Sequence, residues 1–189
     1  MEGRFPVPVR PERIGVIIGK GGRNRRALEE AFNVKLEVDS NSATVYIVPK
    51  EETTPYNVMR AKQAIVAISL GFSVDTALKL SDDAYHLEII NLKDVAKHER
   101  DLHRIKSRII GAEGKARKMI EDMAEVEMVI GDREVGIIGE YENVRVAREA
   151  IEMLIAGKSH QTVYRYLRNA RRELERRKAQ LWQEWRPFT

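Results

Sequence analysis

Two short glycine motifs are the places where the backbone of this chain could itself hold an anion: Gly19-Lys20-Gly21-Gly22 and Gly111-Ala112-Glu113-Gly114. Each follows a short apolar helical pattern and opens directly into a second helical pattern. A Gly-x-x-Gly turn between two helices presents backbone N–H groups with no side chain in the way. The second helix adds the positive end of its dipole, so a phosphate oxygen can sit there. Cations flank both loops, at Lys20, Arg23, Arg25 and Arg26 for the first and at Lys115, Arg117 and Lys118 for the second. The second loop also contains Glu113, whose carboxylate should repel phosphate, so the first is expected to be the better anion cradle. Beside each loop, the apolar residues of the preceding helix and of the following strand would form a narrow groove for unstacked bases.

Other chemistry finds little support in the residues. The stretch from Gly15 to Gly21 is not a nucleotide-binding P-loop: it has three residues between Gly15 and Gly19 where that motif has four between its glycines. Gly21 also follows Lys20 where Ser or Thr should reach magnesium. His86, His98, His103 and His160 are scattered, and His98 and His103, five apart, do not share a helical face as zinc-binding pairs do. Asp82, Asp83 and Asp122 form no evident cluster for metal-assisted phosphodiester chemistry. There is no cysteine for a thiolate site. No catalytic residue, metal or cofactor is expected, and the chain reads as a non-enzyme.

The glycine loops belong to a repeat. Residues 17 to 38, IIGKGGRNRRALEEAFNVKLEV, align without a gap on residues 109 to 130, IIGAEGKARKMIEDMAEVEMVI. Ile17, Ile18, Gly19 and Gly22 match Ile109, Ile110, Gly111 and Gly114, and Glu29 and Glu30 face Glu121 and Asp122. After a turn shortened by two residues in the second copy, Val45 and Ile47 match Val135 and Ile137. Each copy closes with a helical pattern in which Ala61, Ile65, Ile68 and Gly71 correspond to Ala147, Ile151, Leu154 and Gly157. The stretches 23 to 33 and 115 to 125 have helical spacing, whereas Val34, Leu36 and Val38 alternate as a strand does. With the strands near residues 4 to 9 and 85 to 92, each copy reads strand, helix, glycine loop, helix, strand, strand, helix.

Residues 72 to 84 read as a linker with a helical turn of its own. From residue 158 onward a long basic amphipathic helix is expected, with Val163, Leu167, Ala170, Leu174, Leu181 and Trp185 in one stripe. That tail carries nine Lys or Arg against three Glu, a net of +6 in a chain of +4, so the rest carries −2. Its basic face either contacts a phosphate backbone or is simply solvated. The 43% hydrophobic content is that of an ordinary globular chain, and no apolar run approaches the roughly 20 residues of a membrane span. No membrane partner is expected. The opening MEGRFPVPVRPERIG lacks the basic start and apolar core of a secretory signal, which makes a cytoplasmic location the expectation.

RIGVIIGKGGRNRRAL closely resembles the core of a KH domain, and SRIIGAEGKARKMI is a recognisable second copy. The element order is similar to the type I, eukaryote-like arrangement. This resemblance implies an α+β fold: two tandem type I KH domains, each a three-stranded antiparallel sheet packed by three helices, plus a C-terminal basic helix. The implied boundaries are 4–71 for the first domain, 72–84 for the linker, 85–157 for the second domain and 158–189 for the helix.

In KH domains the GxxG loop clamps about four backbone nucleotides while the groove reads base edges. Carried over, the first site would comprise Ile14, Gly15, Ile18, Gly19, Lys20, Gly21, Gly22, Arg23, Arg25, Arg26, Leu36 and Val38. The second would comprise Lys106, Ser107, Ile110, Gly111, Ala112, Glu113, Gly114, Lys115, Arg117, Lys118, Met128 and Ile130. Two features depart from the family's pattern. Arg25 and Arg117 stand where many members have an apolar residue, and Glu113 lies inside its loop.

The short tandem architecture with a basic helical tail is similar to the archaeal counterpart of the eukaryotic partner-of-Nob proteins of small-subunit ribosome biogenesis. That implies single-stranded RNA as ligand, specifically the 3′ region of small-subunit precursor rRNA. It also implies a ribosome-biogenesis nuclease or another small-subunit factor as protein partner. The alternative is a KH protein of another RNA pathway, such as decay or transcription; a nuclease is the least favoured reading.

Overall fold

The structure is a computed structural model and describes residues 3–184. It divides into two compact units, one up to Leu87 and one from Glu88 onward. Each holds a three-stranded antiparallel sheet and its own apolar core.

The first unit begins with β1 (Phe5–Pro8), followed by α1 (Ile14–Ile18), α2 (Arg23–Ala31), β2 (Val34–Asp39), β3 (Thr44–Pro49), α3 (Pro55–Leu70) and α4 (Val74–Leu78). The sheet order is β1-β3-β2, so β3 is central and the two other strands are edges. Pro6 and Pro8 are tolerated in β1 because an edge strand can lack ladder donors. Strand alternation puts Val34 and Leu36 into the core with Lys35 exposed, and β3 adds Ile47 opposite Leu36 and Val45 opposite Val38. α3 starts with Pro55 after Thr54, whose side chain and that of Asn57 form a reciprocal capping box. It lays Ala61, Ala64, Ile65 and Ile68 on the sheet.

Residues 72 to 84 are folded rather than free. Phe72, Val74, Ala77 and Leu80 are buried through α4 and a following 3₁₀ turn, Lys79–Ser81. Arg60, itself buried, donates to the carbonyls of Asp82 and Tyr85 and so ties the end of this segment to α3. The segment expected as a linker thus forms part of the first unit's packing.

The second unit repeats the plan. Its sheet takes in β4 (Tyr85–Asn91), which spans the division after Leu87, and its other elements are α5 (Glu99–Ile110), α6 (Lys115–Ala124), β5 (Glu127–Ile130), β6 (Glu134–Glu140) and α7 (Tyr141–Ile155), with sheet order β4-β6-β5. Leu102, Ile105, Ile109, Ile120, Met128, Val135, Ile137, Ile151 and Leu154 form its core. In both units an arginine preceding the glycine loop bonds the end of the last helix. Arg13 donates to the Ile68 and Phe72 carbonyls at 2.7 Å each, and Arg108 donates to those of Leu154 and Lys158.

The second unit carries one further element, α8 (His160–Glu184), opened by Ser159, whose hydroxyl accepts the Thr162 N–H at 3.2 Å. Val163 and Leu167 are fully buried in the second core, with Ala170 and Leu174 packed against it. Tyr166 donates its hydroxyl to Glu149 on α7; burial and that bond both push its pKa up, so it remains a donor. The helix expected in the tail is therefore packing for its first four turns. Leu181 is exposed, and Trp185, expected to continue the stripe, lies outside the described residues.

Candidate nucleic-acid interface

The two glycine loops have nearly the same backbone. α1 is stopped when Gly19 turns to φ 70°, ψ 171°, its N–H still bonded to the Gly15 carbonyl at 2.9 Å. Gly21 and Gly22 are then left-handed, at φ 59° and 76°, and α2 starts at Arg23. In the second unit Gly111 sits at φ 73°, ψ 176°, Glu113 at φ 52° and Gly114 at φ 75°, and α6 starts at Lys115. The first N–H of each helix is already taken, that of Arg23 by the Lys20 carbonyl and that of Lys115 by the Ala112 carbonyl, whereas the N–H groups that follow in the first turn need no intrahelical partner and point toward the loop ahead.

The first glycine of each loop is fixed by close approach as well as by conformation. A Cβ on Gly19 would lie 2.5 Å from Asn24 Cγ, and one on Gly111 would lie 2.8 Å from the backbone N of Ala116. Asn24 is held in place by donating to the Val16 carbonyl at 2.7 Å, a bond that ties α2 back to α1 beneath the loop. Around Gly21 and Gly114 the space is open. The tips Lys20, Gly21, Ala112 and Glu113 are exposed.

Lys20, Arg23 and Arg26 are exposed around the first loop, and Lys115 and Lys118 around the second. None of the five has an ion-pair partner among the described residues. Gly22 makes room for basic side chains: a Cβ there would meet Arg26 Nη1 at 3.3 Å and Arg25 Nη2 at 4.0 Å. Lys106 is half-buried, 4.0 Å from the exposed Asp132.

Arg25 and Arg117 take part in the same device in both units. Glu29 accepts the N–H of Leu36 at 2.8 Å, and Glu121 accepts that of Met128 at 2.9 Å, each on the outer edge of an edge strand. The arginine four residues earlier reaches the same carboxylate, at 4.0 Å for Arg25 and 3.2 Å for Arg117. Arg117 also donates to the Met128 carbonyl at 2.8 Å. Side chains of α2 and α6 thus already occupy these edge backbone groups, and each arginine keeps its Nε buried without a hydrogen-bond partner. The aligned acids Glu29 and Glu121 carried the signal for this arrangement, but the strand amide each one caps is seven residues away and visible only in the fold.

Of the apolar positions carried over to the sites, Ile18, Val38 and Ile130 are half-buried and Ile110 and Gly15 are exposed, so they form surface beside the loops. Ile14, Leu36 and Met128 retain only 7%, 2% and 1% of their surface. Their side chains point into the cores, and they back the groove rather than line it. Ser107 is exposed on α5, at the position of Gly15 on α1.

Residues 86–172 match the eukaryotic-type KH domain (KH domain type I), and residues 4–67 match the KH domain. A KH domain-containing protein of Methanocaldococcus jannaschii is 38% identical over 174 residues, covering 92% of this chain and 76% of its own. The pre-rRNA-processing protein PNO1 of Coccidioides immitis is 31% identical over 175 residues, covering 90% of this chain and 68% of its own. The chain belongs to the PNO1-like family of tandem KH-domain proteins. The fold of this PNO1-like chain is also that of the chain matched in the a/eIF2alpha–aDim2p–rRNA complex from Pyrococcus horikoshii. That match has 34% identity and a TM-score of 0.83 over 92% of this chain and 96% of the other. The match to residues 86–172 runs well into α8, so the first half of that helix belongs to the second KH module by sequence as well as by packing.

Proposed function

We propose that this PNO1-like chain binds single-stranded RNA through its two GxxG loops and acts as a non-enzymatic factor in small-subunit ribosome biogenesis. Its target in this reading is the 3′ region of small-subunit (pre-)rRNA. The observation that carries it is the duplication of one loop geometry: two helix–GxxG–helix turns with matching left-handed torsions, open tips and unpaired flanking cations. A helix-to-helix turn needed only for packing has no reason to keep its tip bare twice. The relatives support the choice of RNA, since one is a pre-rRNA-processing protein and another was crystallised in a complex with rRNA.

In mechanism, the backbone N–H groups at the start of α2 and α6 hold phosphate oxygens, with Lys20, Arg23, Arg26, Lys115 and Lys118 neutralising the strand. Gly15, Ile18 and Val38, with Ser107, Ile110 and Ile130 in the second unit, offer the surface against which unstacked bases lie. The chain holds and presents RNA, leaving cutting to a separate nuclease, and it does so in the cytoplasm. Among the described residues no group of three or more His, Cys, Asp or Glu side chains is placed to hold a metal ion, and no helix is long and apolar enough to cross a membrane.

Crosslinking the protein to total cellular RNA and mapping the bound sites tests the assignment. Sites concentrated near the 3′ end of small-subunit rRNA are expected, whereas enrichment on messenger or decay-pathway RNA would move the protein to another pathway. Incubating RNA with protein and magnesium should leave the RNA intact.

A further inference from the structure

The arginines of α8 fall into two groups. Arg171 pairs with Glu175 at 2.9 Å and with Glu125 at 3.7 Å, and Arg176 and Arg177 both pair with Glu173 at 3.0 and 3.1 Å. Those bonds hold the Glu173 carboxyl below its usual range, and Lys178 pairs with Glu140 at 3.4 Å. By contrast Arg165, Arg168 and Arg172 are exposed, with no partner among the described residues. Spaced i, i+3, i+7, they share one face for about 10 Å of helix. No acidic residue occurs between His160 and Arg172.

The helix that carries the stripe starts beside the end of α5, which leads into the second glycine loop. His160 Nε2 lies 2.9 Å from the Arg108 carbonyl, one turn before Gly111, so α8 begins at the base of that loop. Eleven residues later Arg171 donates to the Asp122 carbonyl at 3.3 Å, near the end of α6. The helix therefore runs beside α6 in the same direction. Val163 and Leu167 face inward, which turns Arg165 and Arg172 outward by helical spacing and sets Arg168 toward α6, one turn nearer the loop than Arg171. Exposed Lys115 and Lys118 lie on α6 itself.

We propose that Arg165, Arg168 and Arg172 form a phosphate track that carries a single RNA strand beyond the second GxxG loop along α8. The inference rests on the RNA-binding reading above and adds a third contact region to the two loops. Paired arginines would have to give up a carboxylate to bind phosphate; these three have none to give up, so their counterion release is fully available to RNA. The track recognises backbone only and contributes length dependence rather than sequence preference.

The test compares the full chain with the triple variant R165Q/R168Q/R172Q and with a control, R176Q/R177Q. The probes are a single-stranded RNA just long enough for both loops and the same RNA extended by several nucleotides at either end. One extension should tighten binding by the wild type and the control but not by the triple variant. The triple variant should also lose about two units of salt slope on the extended RNA, about 0.7 for each contact removed. All three residues are exposed, so thermal unfolding should not change.

Equal gains from extension in wild type and triple variant would overturn the track, as would an equal loss in the control, which would make the effect one of bulk charge. Unchanged RNA affinity would leave the stripe to an acidic protein partner. The two readings fail separately. If the triple variant binds normally while carboxylates placed in the first glycine loop abolish binding, only the track is lost; if the loop changes have no effect, the RNA-binding reading itself falls.

Discussion

Gly19 and Gly111 sit at φ 70° and 73° with ψ near 171° and 176°, a region that residues with a Cβ scarcely enter, and both are also crowded. Gly21 differs, since its φ of 59° is left-handed but nothing lies within 4 Å of a Cβ. Gly111→Ala should therefore destabilise the second unit by about 1–3 kcal/mol or more, because the clash is with the Ala116 backbone, which cannot swing aside. Gly21→Ala should cost only about 1–2 kcal/mol, the left-handed penalty alone. Denaturant unfolding of the two variants measures the difference, and equal losses would mean that close approach is unimportant.

Glu113 occupies the same left-handed position as Gly21 at φ 52°, and its carboxylate stands at the exposed tip of the second glycine loop. Glu113→Gly should raise stability by a few tenths to about 1 kcal/mol and tighten RNA binding; weaker binding would show that the carboxylate has a role of its own. The glycine spacing and the odd acid were legible in the sequence. The Arg25–Glu29–Leu36 and Arg117–Glu121–Met128 links were not, because they join a helix to a strand edge through side chains whose reach no periodicity reports.

At the scale of elements, hydrophobic spacing was a good guide wherever one face is buried. The alternation of Val34, Leu36 and Val38 gave β2, and the same alternation already placed Leu36 on the core side with Val34, so its burial follows from the pattern. Residues 72 to 84 misled because Ser73, Asp75, Asp82 and Asp83 look like loop composition. Four of the apolar residues among them, Phe72, Val74, Ala77 and Leu80, are nevertheless buried, and the Arg60 bonds that fix the segment come from α3.

α8 was legible as an amphipathic helix, and its apolar stripe proves to be part of the second core. Leu167→Ala should cost about 2–5 kcal/mol of stability, read as a lower unfolding midpoint of the second unit, since Leu167 is fully buried. A loss below about 0.5 kcal/mol, the range of surface substitutions, would mean that α8 is not held against α6 and α7. For the same reason the phosphate track is better tested by point changes than by deleting the helix, which would uncover the sockets of Val163 and Leu167.

For the whole molecule, the repeat was the most informative feature of the sequence, because loop, helix and strand matched in register and fixed the plan of both units at once. The charge total said little: +4 conceals a tail of +6, and within that tail only the structure separates arginines committed to Glu173 and Glu175 from those left free. Two modules of about four nucleotides each predict a footprint of about eight nucleotides and a preference for unpaired strands, whose base edges are free. Equal affinity for a hairpin stem and a single strand would contradict groove binding.

The most direct test of the central claim is the affinity of the full chain for single-stranded RNA after carboxylates are placed in each loop. The paired changes Lys20→Asp with Gly21→Asp put two acids at the phosphate contact proposed for the first loop, and Glu113 shows that this backbone accepts a side chain at the second of those positions. A charge-assisted phosphate contact is worth about 1.5–3 kcal/mol, so binding should weaken more than tenfold while the chain stays folded, its thermal unfolding lowered no more than in Gly21→Ala, which shares the left-handed penalty. Ala112→Asp with Glu113→Asp should weaken it less, because that loop already carries an acid. Wild-type affinity in both variants, each still folded, would place the RNA elsewhere and contradict the account.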